Sequence, residues 1–121
     1  AIWAEQSAQP SPLRALVDSG ANVRFGSDAP VAPLDPWAAM ASAVFRTRDG
    51  RDAWHPHQRV DIGTAIAAST AGGSTAPAEI SPGALADLVI VGADPLTADE
   101  RSLRAMPVRT TLIAGRITHG G

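Results

Sequence analysis

Apolar positions along this chain recur with two different periods. Leu13, Leu16 and Val17 stand at i, i+3 and i+4, one face of a short helix. Pro10 and Pro12 frame its start, and Gly20 is the natural stop just past its last turn. Val23 and Phe25 then alternate with Arg24, which predicts a short strand ending near Gly26. Pro30, Pro33 and Pro36 follow at intervals of three, which prevents a helix and favours an extended run. Asp35-Pro36 predicts a helix start, an acidic cap with proline at the first helical position. Trp37, Met40, Ala41, Val44 and Phe45 then give the clearest amphipathic stripe, running out in a polar stretch around Asp49-Gly50. Residues 54–59 read as loop. Asp61 caps a weaker stripe of Ile62, Ala65, Ile66 and Ser69, closed by Gly72-Gly73.

Beyond residue 85 the period shortens. Ala86-Asp87-Leu88-Val89-Ile90-Val91 is nearly continuous apolar chain, the pattern of a buried strand. Asp94-Pro95 turns the chain and residues 99–106 read as a helical turn. Residues 108–113 and 116–118 are two strands hinged at Ala114-Gly115. A connector rich in Ser, Pro, Gly and Ala fills residues 74–85. The change in composition near Ser81-Pro82-Gly83 divides the chain into two expected units, residues 1–80 and residues 81–121. No internal repeat is visible.

Composition narrows the chemistry. A chain of 121 residues, 45% hydrophobic, supports a modest core. It is too short for a whole α/β barrel, which needs about 200 residues or more. With net charge -2 and no basic face, general nucleic-acid binding is not expected. There is no cysteine, so disulfides, thiolate metal sites and cysteine nucleophiles are excluded. All ten basic residues are Arg, which removes any Schiff-base, phosphate-loop or carbamylated lysine. No apolar run approaches the ~20 residues that span a bilayer, and no signal-peptide pattern opens the chain. The expectation is a soluble cytoplasmic chain without membrane partners. Its first residue is Ala1 rather than Met, and an upstream segment is expected.

The most informative point is Gly26-Ser27-Asp28. In α/β folds ligands meet the protein just beyond the carboxyl ends of strands. A strand ending in Gly, Ser and Asp puts a carboxylate at that edge, and Gly26 permits close approach. Such a carboxylate can ligate a divalent metal, accept a proton from metal-bound water, or cap a turn.

Residues 23–36, V-R-F-G-S-D-A-P-V-A-P-L-D-P, resemble the last barrel strand and following loop of the metal-dependent amidohydrolase superfamily, most closely its YtcJ-like branch. Three further stretches agree in order and spacing. Trp54 to Arg59 resembles that branch's W-x-P-x-x-R segment. Ile80, Gly83, Ala86, Asp87, Leu88 and Val89 resemble the return of the chain into a small β-sandwich domain. Thr110 through Ile117, with Gly115, resembles its closing strands. The resemblance implies an α/β fold class, the last strand and helices of a TIM-type (β/α)8 barrel plus the C-terminal part of a β-sandwich. It implies that Asp28 binds the metal, most often zinc, and acts as proton shuttle in hydrolysis of non-peptide carbon–nitrogen bonds. The superfamily's H-x-H pair and its other barrel ligands have no counterpart here, so the chain is expected to bind no metal and to be inactive alone. Its expected partner is the remainder of a longer parent chain.

Other features have ordinary readings beside the functional ones. His55-Pro56-His57 imitates H-x-H but follows Asp28, where a solvated or rim-lining loop is the plainer reading. His119 lies in the tail. Pro30, Pro33 and Pro36 contain P-x-x-P, a peptide-ligand pattern or a rigid loop. Trp54 can line a pocket or anchor a lid. Ser27, Ser69 and Thr70 have no base nearby in sequence, and Gly72-Gly73 is not followed by Lys. The alternative to a hydrolase portion is a stand-alone binding or assembly module. It would form homo-oligomers through exposed strand edges and the apolar face of the helix that begins at Pro36.

Overall fold

A computed structural model describes residues 12–120 of the chain. These residues form α1 (Leu13–Asp18), α2 (Pro36–Phe45), α3 (Ile62–Ala68), β1 (Leu88–Val91), α4 (Glu100–Arg104), β2 (Val108–Ile113) and β3 (Arg116–His119). Single 3-10 turns occupy Pro56–Gln58 and Pro95–Thr97. Pro10 lies outside the described residues.

Side chains start the helices where the sequence places caps. The Asp35 carboxylate accepts the amides of Trp37 at 3.0 Å and Ala38 at 3.1 Å, and Pro36 fills the first helical position. Asp61 accepts both the amide of Thr64 at 2.8 Å and its hydroxyl at 2.6 Å. These two donors hold the Asp61 carboxyl below the usual aspartate range. Asp99 caps α4 through the amide of Ser102 at 2.8 Å, and its carboxyl is likewise lowered.

The apolar stripe of α2 points inward. Met40, Ala41 and Ala43 are buried with Val60, Ala65, Leu103 and Met106, and Trp37, Val44, Phe45 and Phe25 pack against them. Leu103 is fully enclosed. The helix α2 packs against both α3 and α4, and alanines of α2 and α3 lie in the shared core. Arg104 locks that crossing: its guanidinium pairs with Glu100 at 3.0 Å and donates to the carbonyl of Thr47 at 2.6 Å. The core therefore draws on residues from both sides of position 81. On the face of α2 read as a surface for a second copy, Met40 and Ala41 are buried by the chain itself, while Trp37, Val44 and Phe45 are partly buried.

The sheet is three-stranded and antiparallel, in the order β1-β2-β3. Leu88 faces Leu112, which in turn faces Ile117. Ala114 and Gly115, with φ of 48° and 77°, make the tight turn that joins β2 to β3. Positive φ at both positions matches the right-handed twist of a hairpin. Asp87 pins this turn by accepting the Ala114 amide at 2.7 Å.

Three expectations need correction. The segment 21–27 is neither helix nor strand, because a ladder needs a neighbouring strand. Its neighbours among the described residues are a helix end and a loop: the Phe25 amide donates to the Ala68 carbonyl at 2.9 Å, and the Val23 carbonyl accepts the Ser74 amide at 2.9 Å. No barrel is therefore formed by the described residues, whose architecture is a mixed α/β arrangement with one antiparallel sheet. Second, β1 is not buried. Val89 and Ile90 are 57% and 52% exposed, since no second sheet covers either face among the described residues. Third, α3 stops at Ala68 rather than at the glycines. Ser69 and Thr70 turn their hydroxyls back onto the carbonyls of Ala65 at 2.9 Å and Ala67 at 2.7 Å. Gly73, at φ 83°, then brings the chain against Asn22. A β-carbon there would lie 2.4 Å from the Asn22 side-chain oxygen.

Candidate functional site

Asp28 sits where the proline-rich loop begins, just after the segment that hydrogen-bonds to Ala68 and Ser74. Its φ is 53°, a left-handed conformation that aspartate tolerates better than most residues. Two bonds hold the turn. The Asp28 carbonyl accepts the Val31 amide at 2.9 Å, and the Ser27 hydroxyl accepts the Ala29 amide at 3.2 Å. Neither uses the carboxylate. The Asp28 side chain is exposed, without a hydrogen-bond or ion-pair partner among the described residues. The turn-cap role that a carboxylate could have filled here belongs to Ser27 and the backbone.

A cavity of about 330 Å³ lies beside this turn, lined by Phe25, Gly26, Ser27, Leu34 and Pro36 among others. Its wall is mainly apolar. Asp35 borders it, but its carboxylate is occupied by the first amides of α2. Val31 and Leu34, each 83% exposed, carry the loop's apolar side chains into solvent. The loop is stiffened by Pro30, Pro33 and Pro36.

The histidines do not join Asp28 in a cluster. His55, at φ 49°, packs edge-on against Trp54 at 4.7 Å and against His57 at 5.4 Å between ring centres. His119 is exposed on β3, opposite Thr111. No group of three or more histidine, aspartate or glutamate side chains is arranged to hold a metal among the described residues. A catalytic zinc takes about three protein ligands and a water, a set that the described donors do not by themselves complete.

Two features escaped the sequence. Gln58 is buried, and its amide oxygen accepts the N–H groups of Arg14 at 3.0 Å and Ala15 at 3.4 Å, at the start of α1. Trp54 carries the Arg46 guanidinium over its ring at 5.3 Å, beside a second cavity at the end of α2. Burial lowers the Arg46 pKa from the usual arginine value.

Comparison with known proteins gives this arrangement a context. Residues 2–119 match the family model described as Amidohydrolase family. A Bacillus subtilis (strain 168) protein named "Putative amidohydrolase YtcJ" is 26% identical over 115 residues, covering 88% of this chain and 22% of that protein. The Arabidopsis thaliana "Protein LONG AFTER FAR-RED 3" is 33% identical over 98 residues, covering 74% of this chain and 17% of that protein. The chain thus spans about a fifth of the length of these curated relatives. No solved structure gave a significant match. Among the described residues no helix is long and apolar enough to cross a membrane. The match runs through the Gly26-Ser27-Asp28 turn and on to the closing strand β3, and the chain belongs to the amidohydrolase family.

Proposed function

We propose that this chain is the C-terminal portion of a metal-dependent hydrolase of non-peptide carbon–nitrogen bonds, and that Asp28 is the carboxylate it contributes to the site. One observation carries the reading. Asp28 stands at the head of the proline-rich loop with a carboxylate that the local fold does not use among the described residues. An exposed carboxylate without a partner among the described residues can serve as ligand and proton acceptor. The family match and the relatives' greater length support the rest of the reading. The other metal ligands, zinc being the favoured metal, come from the remainder of the parent chain. Alone, the chain is inactive.

The experiment compares two samples: this chain with zinc or manganese, and the full-length parent with the same metals, each assayed on simple amides. We expect hydrolysis by the parent, loss of at least about a hundredfold with Asp28→Ala, and none by the isolated chain. Hydrolysis by the isolated chain that vanishes in Asp28→Ala would overturn the inactivity. A parent whose Asp28→Ala variant keeps full activity would overturn the role of Asp28.

A second reading, self-assembly, is favoured by the apolar exposure of the sheet, where Ile113 and Ile117 are 60% and 58% exposed. Light scattering across a concentration series separates the two. A particle mass that grows with concentration, and falls back in Ile117→Lys, supports assembly through the sheet. A monomer at every concentration removes it.

A further inference from the structure

Five of the chain's ten arginines, at positions 46, 48, 51, 59 and 104, gather at the C-terminal end of α2, although the chain as a whole carries net charge -2. Basic side chains are at home beside helix carbonyls. That accounts for two of the five. Arg59 donates to the Phe45 carbonyl at 3.3 Å, and Arg104 donates to the Thr47 carbonyl and pairs with Glu100.

Arg46, Arg48 and Arg51 are left over. Arg46 donates through Nε to the Trp54 carbonyl at 3.1 Å, yet has no carboxylate within ion-pair distance among the described residues. Its Nη2 is shielded from solvent and has no acceptor. A partly desolvated cation without a counter-ion is a cost that folded proteins rarely leave standing. Arg48 and Arg51 share a single carboxylate, Asp49, at 3.9 and 3.2 Å, and all three side chains are well exposed. Exposed pairs of this kind hold their partners weakly and leave the guanidinium groups free to exchange.

These three arginines line one concavity of about 460 Å³, with Trp54, Ser42 and Thr47 forming other parts of its wall; the Ser42 and Thr47 hydroxyls already donate to the carbonyls of Ala38 and Arg51. Asp52 also lines it and opposes an anion, as does the negative end of the α2 dipole. The dipole is already answered by Arg59 and Arg104 and by the Arg46 amide, which donates to the Ser42 carbonyl at 3.0 Å. The three arginines outnumber the one carboxylate on the wall. We infer that this concavity is a binding site for an oxyanionic group, phosphate or carboxylate, held by the forked N–H donors of Arg46, Arg48 and Arg51 beside the Trp54 ring. The inference is independent of Asp28 and of any hydrolytic activity.

The test uses the chain itself. Inorganic phosphate, and in a second arm acetate, is titrated at constant low ionic strength while the indole N–H resonance of Trp54 is followed by NMR. We expect a saturable shift with a Kd on the order of 1 mM. The double variant Arg48→Gln/Arg51→Gln should weaken it about tenfold or more, and Arg46→Gln should abolish it. Because Arg46 also closes α2, the double variant keeps the test decisive should Arg46→Gln unfold. Arg116→Gln, an exposed arginine on β3, should change nothing. Saturation by either anion supports the site, and the tighter arm names its ligand class. No saturable shift by about 20 mM of either anion, or an undiminished shift in the double variant, overturns it.

Discussion

The helices around Leu103 and the sheet of β1, β2 and β3 handle apolar surface differently. In the first region apolar side chains meet one another: Met40, Val60, Leu103 and Met106 are each at most 6% exposed, under a crossing locked by Arg104. In the second, Val89, Ile90, Ile113 and Ile117 are all more than half exposed on a sheet that is well paired along its backbone. Backbone pairing and side-chain burial are thus separable. The sheet is held by its turn and by backbone pairing across three strands, whereas the helices, none longer than ten residues, need tertiary packing.

The sharpest way to break this contrast is a pair of substitutions. Leu103→Ala should destabilise the chain by about 3 kcal/mol, the cost of a cavity in a closed core. Ile117→Thr should change stability by less than about 0.5 kcal/mol, because the side chain is already wet and threonine keeps the β-branch. Urea unfolding followed by circular dichroism measures both, and equal losses would show that the sheet is packed after all.

A smaller effect sharpens the helical side. Asp61→Ala removes the cap of α3 and should cost about 1 kcal/mol. The same cap has a pH signature. The folded-state pKa of Asp61 is depressed, so its contribution is full above about pH 4 and is lost as pH falls through the folded value. Asp61→Asn keeps a capping oxygen but removes the titration. Its stability should fall less steeply than the parent's in acid, while Asp99, lowered in the same way, preserves part of the slope in both.

Local chemistry was legible in the sequence and remote partnership was not. The caps at Asp35-Pro36 and Asp61 and the turn at Asp94-Pro95 were readable, because each is made by residues two or three apart; Asp99 caps α4 without having been read as a cap. The hinge at Ala114-Gly115 was readable for the same reason. The strand expected to end near Gly26 has the right residues but no neighbour to pair with, and alternation cannot report a missing neighbour. The run from Leu88 to Val91 was read as buried because continuous apolar chain implies cover on both faces, and cover is a property of other segments. At the candidate site, the place of Asp28 at the head of the proline-rich loop was legible, while the missing strand before it and the release of its carboxylate from the turn were not. That release depends on Ser27 and the backbone doing the holding. Gln58 offered no signal at all, since its partners lie 44 and 43 residues earlier in the chain.

That last distance has a consequence for assembly in time. The helix α1 is six residues long, well below the length at which an isolated helix persists in water, and its first amides are satisfied by a side chain synthesised long after it. The N-terminal amides of α1 therefore gain their acceptor only once the turn at Pro56–Gln58 exists, which ties the start of this helix to a segment made more than forty residues later.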